Sequence, residues 1–292
     1  MFPWRGVLLF FLLLAAGARA QTPSQTFEFV HAPTPALGSD LLYSLYLPPG
    51  YVEGAERYPV LYLLHGKDGN HLEWLHDGHL RETLDGLIAA GKVGPMIVVM
   101  PDGGGSSWYV DSKDVGGPGN YASAIGVDLV KAIDARYRSC GEPRCRAIAG
   151  LSMGGFGALR LALQRPFRFA AAASFSGALW SRLDDHPPPP SVNRIFAGSF
   201  GEPFDLKRFR AEEPSSLIEG AAAAGHAPAI FLTVGDRDRY GLYEGTFKAF
   251  MRMRAAGLNV EMRMTGGDHE WTTWAAELPD ALIFIDQVFK RP

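Results

Sequence analysis

Short strand-like apolar runs recur along the chain at residues 58–64, 96–100, 146–151, 169–174, 229–234 and 260–265. Between them lie stretches whose apolar positions repeat at helical spacing, at 73–90, 125–137, 156–164, 244–256 and 274–289. Near-continuous apolar strands alternating with amphipathic helices are the pattern of a mostly parallel sheet covered on both faces. Residues 26–30 and 41–47 read as an opening antiparallel pair. The periodicity lapses in two places. The loop 106–121 is long and carries Trp108 and Tyr109, and the segment 177–228, which includes Pro187 to Pro190, is expected to cap a site.

The first twenty residues carry Arg5, an apolar run at 7–16 and Ala18-Arg19-Ala20. A basic start, an apolar stretch too short for a bilayer and a small-x-small ending describe a signal peptide over 1–20. The expected mature chain, 21–292, is a single catalytic domain, secreted or periplasmic, with no membrane association after cleavage. Removing Arg5 and Arg19 leaves 26 basic against 31 acidic residues, a net charge of −5, which implies no nucleic-acid partner. In an exported protein the two cysteines, Cys140 and Cys145, are expected to form a disulfide that clamps a helix-to-strand turn.

The run 146–151 breaks into Gly150-Leu151-Ser152-Met153-Gly154-Gly155, a strand entering a tight glycine turn and then a helix. That is a nucleophile elbow, which holds a serine hydroxyl at the end of the sheet. A serine needs a base, and the base needs an acid to orient it. In this architecture both follow the serine, acid before histidine, each after a later strand. His269 follows 260–265 and is the base. His31, His186 and His226 fall in early or irregular segments, and His71, His76 and His79 on or beside the first helix. His65 is read as a brace for the strand exit. A metal site on His76 and His79 lacks a third ligand, so no metal and no cofactor are expected. For the acid, the strand-Gly-x-x-Asp spacing favours Asp238, with Asp236 as the alternative holding down the loop, and Asp268 is too close to His269. The oxyanion donors are the backbone N–H groups of Met153 and Lys67.

These motifs carry a resemblance. Leu63-Leu64-His65-Gly66, Trp108-Tyr109-Val110-Asp111-Ser112, the elbow, and Gly267-Asp268-His269-Glu270-Trp271-Thr272-Thr273-Trp274 occur in an order that resembles the esterase D and antigen 85 superfamily of α/β-hydrolases, over about residues 26–289. The resemblance implies an α/β-hydrolase fold, a Ser152, Asp238, His269 triad and an oxyanion hole from Lys67 and Met153. The chain departs from the family at Tyr121-Ala122, where relatives often have an acid after the tyrosine, and at Asp268, which stands between Gly267 and His269 where relatives read Gly-Gly-His.

The reading that follows is a secreted serine carboxylic-ester hydrolase acting through an acyl-enzyme on carbohydrate-linked or aryl esters of feruloyl or acetyl type. Trp108, Tyr109 and Trp271 are candidate substrate contacts, suited to stacking on a phenolic acyl group or a sugar face. An acyltransferase of the mycolyltransferase type and a non-catalytic binding protein on the same scaffold are the alternatives. Export argues against S-formylglutathione hydrolase, whose substrate is intracellular.

Overall fold

The computed structural model describes residues 22–180 and 191–291; the expected signal peptide, His186 and Pro187 to Pro190 lie outside the described residues. Strands β1 (Gln25–Thr34), β2 (Ser39–Leu47), β3 (Val60–Leu64), β4 (Ile97–Pro101), β5 (Arg146–Leu151), β6 (Ala171–Phe175), β7 (Ala229–Gly235) and β8 (Val260–Thr265) form one sheet. Its order is β1-β2-β4-β3-β5-β6-β7-β8. The pairs β1–β2 and β2–β4 are antiparallel and all others parallel. This is the α/β-hydrolase fold.

Every residue of β3, β4, β5, β6 and β7 is buried, which is why these strands read as unbroken apolar runs. Strand β8 lies at the sheet edge, and only Val260 in it is buried. Two apolar cores sit on the two faces. One packs Trp74, Leu80 and Leu84 of α1 (Glu73–His76) and α2 (Leu80–Ala89) with Leu278 and Leu282 of the closing helix. On the other face lie α3 (Tyr121–Ser123), α4 (Val130–Arg136), α5 (Met153–Gln164), α6 (Val192–Phe196), α7 (Leu206–Glu212), α8 (Pro214–Ala223) and α9 (Leu242–Ala255). The closing helix is α10 (Trp271–Phe289).

All five expected helices shift in their bounds: the closing one begins at Trp271 rather than Trp274, and the one expected over 244–256 spans Leu242–Ala255. The helix expected over 73–90 is two, because the chain turns at Gly78, against whose Cα the Trp74 and Trp271 rings pack, and His79 takes a left-handed conformation with φ of 48°. His76 and His79 therefore do not share one helix face; His76 Nε2 lies 3.0 Å from Glu28 Oε1. The helix expected from Ile125 begins at Tyr121 and includes a π-helical stretch, Ala124–Leu129. The helix after the elbow begins at Met153 rather than Phe156, since Gly154 and Gly155 take part in it.

In the segment expected as a cap, Phe196, Phe200 and Phe209 gather around Phe156 of α5 and Trp108, with Phe196 4.8 Å from the Trp108 ring. Cys140 and Cys145 are bonded across the turn between α4 and β5.

Candidate active site

The parallel strands point their C-terminal ends the same way, and the loops there carry the candidate residues, as expected for an open α/β sheet. Strand β5 delivers Ser152, whose φ of 51° and ψ of −115° depart from both strand and helix. The neighbours over-determine that strain. Ser152 N–H donates to Phe175 O at 2.9 Å, and its carbonyl accepts from Phe156 N–H and Ala178 N–H, both at 3.0 Å. Glycine is required at Gly154, where a Cβ would stand 2.6 Å from the carbonyl oxygens of both Leu64 and His65.

Strands β7 and β8 bring the partners. His269 Nε2 lies 3.0 Å from Ser152 Oγ, and His269 Nδ1 lies 2.8 Å from Asp238 Oδ2. A carboxylate only accepts, so the imidazole carries its proton on Nδ1, leaving Nε2 to accept from the serine hydroxyl. Asp238 is buried and takes Tyr240 N–H on its other oxygen at 3.0 Å. The imidazole is held edge-on between Tyr240, centroids 4.8 Å apart, and Trp274, 4.9 Å apart.

The other acids of these turns have separate partners. Asp236 Oδ1 accepts Gly267 N–H at 3.0 Å, tying the β7 turn to the β8 turn. Asp268 Oδ1 accepts His269 N–H at 2.6 Å, and Arg239 Nη2 lies 2.8 Å from Asp268 Oδ2. The Arg239 guanidinium first, and the His269 amide second, pull the Asp268 carboxyl down to about 2. The Asp268 that departs from the Gly-Gly-His pattern is thus a strut that fixes the histidine backbone.

His65 uses both ring nitrogens inside the protein. Its Nδ1–H donates to Gly66 O at 2.7 Å, and Nε2 accepts Gly103 N–H at 2.8 Å. Burial lowers its pKa, in keeping with a neutral brace. Beyond it, a Cβ on Gly66 would stand 3.7 Å from Ser152 Cβ, so the β3 exit runs directly beside the serine. Lys67 follows there and lines the cleft. Met153 opens α5, and a first-turn amide has no carbonyl one turn earlier to donate to.

Ser152 and His269 open onto a cleft of about 780 Å³. Trp108, Ala178, Trp180 and Ile195 line it, as do Lys67, Asp68, Glu73, Trp271 and Trp274. Among the described residues no group of three His, Cys, Asp or Glu side chains could hold a metal ion.

Residues 34–285 match the family model Esterase, described as "Putative esterase". The chain belongs to this esterase family. Over 156 residues it is 38% identical to an esterase of Mycobacterium tuberculosis, a match covering 52% of this chain and 32% of that protein. Over 236 residues it is 30% identical to an endo-1,4-beta-xylanase/feruloyl esterase of Xylanibacter ruminicola, covering 79% of this chain and 27% of that one. The chain therefore spans only about a third of the length of these curated relatives. Among solved structures it is similar to a ferulic acid esterase, with a TM-score of 0.77 and 28% identity, covering 92% of this chain and 99% of that one.

The structure thus brings together Ser152, Asp238 and His269, and sets Gly66-Lys67 and Met153 beside the serine. Of the three aromatic candidates, Trp271 and Trp108 line the cleft, Trp108 with only 2% of its surface exposed and its indole N–H on Ile195 O at 3.1 Å. Tyr109 does not reach it. Its ring fills the space over Gly103 and Gly157, and its hydroxyl donates to His65 O at 2.9 Å. The sequence expectation for Tyr109 is corrected on that ground: the ring is a core wedge beneath the strand exit. Sequence reasoning missed Glu73, Tyr240 and Leu242, none of which stands in a motif.

Proposed function

We propose that this chain is a serine carboxylic-ester hydrolase working through an acyl-enzyme. One observation carries the reading: the continuous hydrogen-bonded line from Ser152 Oγ through His269 to buried Asp238. Ser152 Oγ attacks the ester carbonyl as His269 Nε2 takes its proton, and Asp238 stabilises the imidazolium that forms. The N–H groups of Met153 and Lys67 receive the developing oxyanion, Met153 with the α5 N-terminus behind it. His269 then gives the proton to the leaving alkoxide, and water, activated by the same histidine, releases the acid and restores Ser152.

The substrates are carbohydrate-linked or aryl esters of feruloyl or acetyl type. An aromatic-walled cleft and the named activities of the relatives support this reading. The export-type N-terminus supports work outside the cytoplasm, secreted or periplasmic, by one catalytic domain over 21–292, and Ala178, Trp180 and Ile195 of the segment expected as a cap line the cleft. Initial hydrolysis rates on methyl ferulate and on p-nitrophenyl acetate test the proposal, with Ser152→Ala as control. Hydrolysis lost in the variant supports it, and an alanine variant retaining half the activity overturns it. Product analysis with added sugar separates hydrolysis from acyl transfer, since a transferase makes a new ester.

A further inference from the structure

One cleft residue has no part in the chemistry above. Glu73 opens α1, and its carboxyl folds over Gly69, where a Cβ would stand 2.3 Å from Oε2 and 2.8 Å from Oε1. The next residue, Trp74, is fixed by its indole N–H on Leu64 O at 2.9 Å. Packing thereby holds the carboxyl at a set place in the cleft wall. Among the described residues no lysine or arginine pairs with it. Lys67 Nζ is engaged by Asp68 Oδ2, and Arg239 by Asp268 and Glu270.

A series of rings runs from His269 to α1, the helix that Glu73 opens. His269 returns its proton to the leaving oxygen, so the alcohol half of an ester must lie on the histidine side of Ser152. That side continues as a series of edge contacts, from His269 to Trp274 at 4.9 Å, Trp274 to Trp271 at 5.4 Å, and Trp271 to Trp74 at 5.2 Å. Glu73 precedes Trp74 in α1 and lines the same cleft as Trp271 and Trp274. An aromatic surface flanked by a carboxyl lacking a cation suits a hydroxylated ring: the ring takes its C–H face and the carboxyl its hydroxyl donors.

We propose that Glu73 determines specificity for the alcohol half of the ester, accepting hydrogen bonds from hydroxyls of a polyol packed against Trp271; the proposal rests on the serine-esterase reading above. A simple alkyl alcohol in the same place leaves the carboxyl without donors, and that difference is the source of discrimination.

The assignment carries a pH signature. Burial, then the charge of Asp77, pushes the Glu73 carboxyl up to about 7; the Asn70 backbone contact opposes them and Asp102 adds a smaller upward push. Lys67, Asp68, Arg239, Tyr240, His269 and Glu270 are the other charged or titratable groups around the cleft. The carboxylate, the stronger acceptor, forms as pH rises through about 7. Preference for a polyol ester over a simple ester strengthens in that range. The catalytic steps at Ser152 and His269 are common to both esters and cancel in the ratio.

The test compares kcat/KM on a feruloylated arabinose and on methyl ferulate, for wild type and Glu73→Gln, from about pH 5.5 to about pH 8.5. The expected wild-type ratio of sugar ester to methyl ester rises through neutrality. In Glu73→Gln the ratio is about tenfold lower at the alkaline end and flat with pH, the size of losing one hydrogen bond to a charged group. A ratio that is the same in both proteins at every pH overturns the Glu73 assignment while leaving the esterase reading in place. A wild type inactive on both esters, with no fluorophosphonate adduct on Ser152, overturns the esterase reading and the assignment with it.

Discussion

Asp238 Oδ2 meets His269 Nδ1 at 2.8 Å, whereas Asp236, two residues earlier on the same turn, takes the Gly267 N–H at 3.0 Å. The two carboxylates therefore have separable consequences. Asp238→Asn should lower kcat by about a hundred- to ten-thousandfold, because the amide favours the wrong imidazole tautomer. Asp236→Asn keeps an acceptor oxygen and should cost at most about 1 kcal/mol of stability, with kcat within about threefold of wild type. Steady-state kinetics and urea denaturation of both variants check this.

Acid stability should report the Asp268 strut. A carboxyl held at about 2 in the folded chain stabilises it at every pH above the unfolded value, about 3.9, and that contribution is lost as pH falls through about 2. Thermal melts of wild type and Asp268→Asn should differ by a constant amount above about pH 5 and converge by about pH 2. A difference that instead grows in acid would contradict the role.

Gly154 passes under the β3 exit with no room for a methyl group. Gly154→Ala should destabilise the fold by about 1 to 3 kcal/mol and displace the elbow, so kcat should fall together with Tm. Gly86, on the surface of α2 with open space around it, is the control. Gly86→Ala should raise stability by about 0.5 to 1 kcal/mol and leave kcat alone.

The Cys140–Cys145 bond closes a loop with a sequence separation of only 5. Such a loop removes little chain entropy, so the double Cys→Ser variant should lose about 2 kcal/mol in denaturant melts while its ester hydrolysis rate stays unchanged.

Much of the fold is legible in the chain because buried parallel strands leave no choice of residue type. Strands β5 and β8 span the expected 146–151 and 260–265, and the three residues that meet at the imidazole stand in the expected order. What was not legible depends on packing between distant elements. The break at Gly78 arises where the Trp74 and Trp271 rings come together across the sequence, which no helical period signals. Tyr109 adjoins Trp108 in the chain, yet the two rings part: Trp108 keeps an edge on the cleft while Tyr109 turns inward to His65. Glu73 is charged and sits in a helix-like stretch, so in sequence it looks like a solvated face; only the Gly69 turn folds it into the cleft.

In the proposed mechanism Ser152 is a nucleophile activated by His269. Intact-mass spectrometry after exposure to a fluorophosphonate probe, followed by peptide mapping, tests it most directly. A single adduct on Ser152 is expected, absent in Ser152→Ala and formed far more slowly in His269→Ala. A folded wild-type protein that takes no label at Ser152, or one whose labelling is unaffected by His269→Ala, would contradict it.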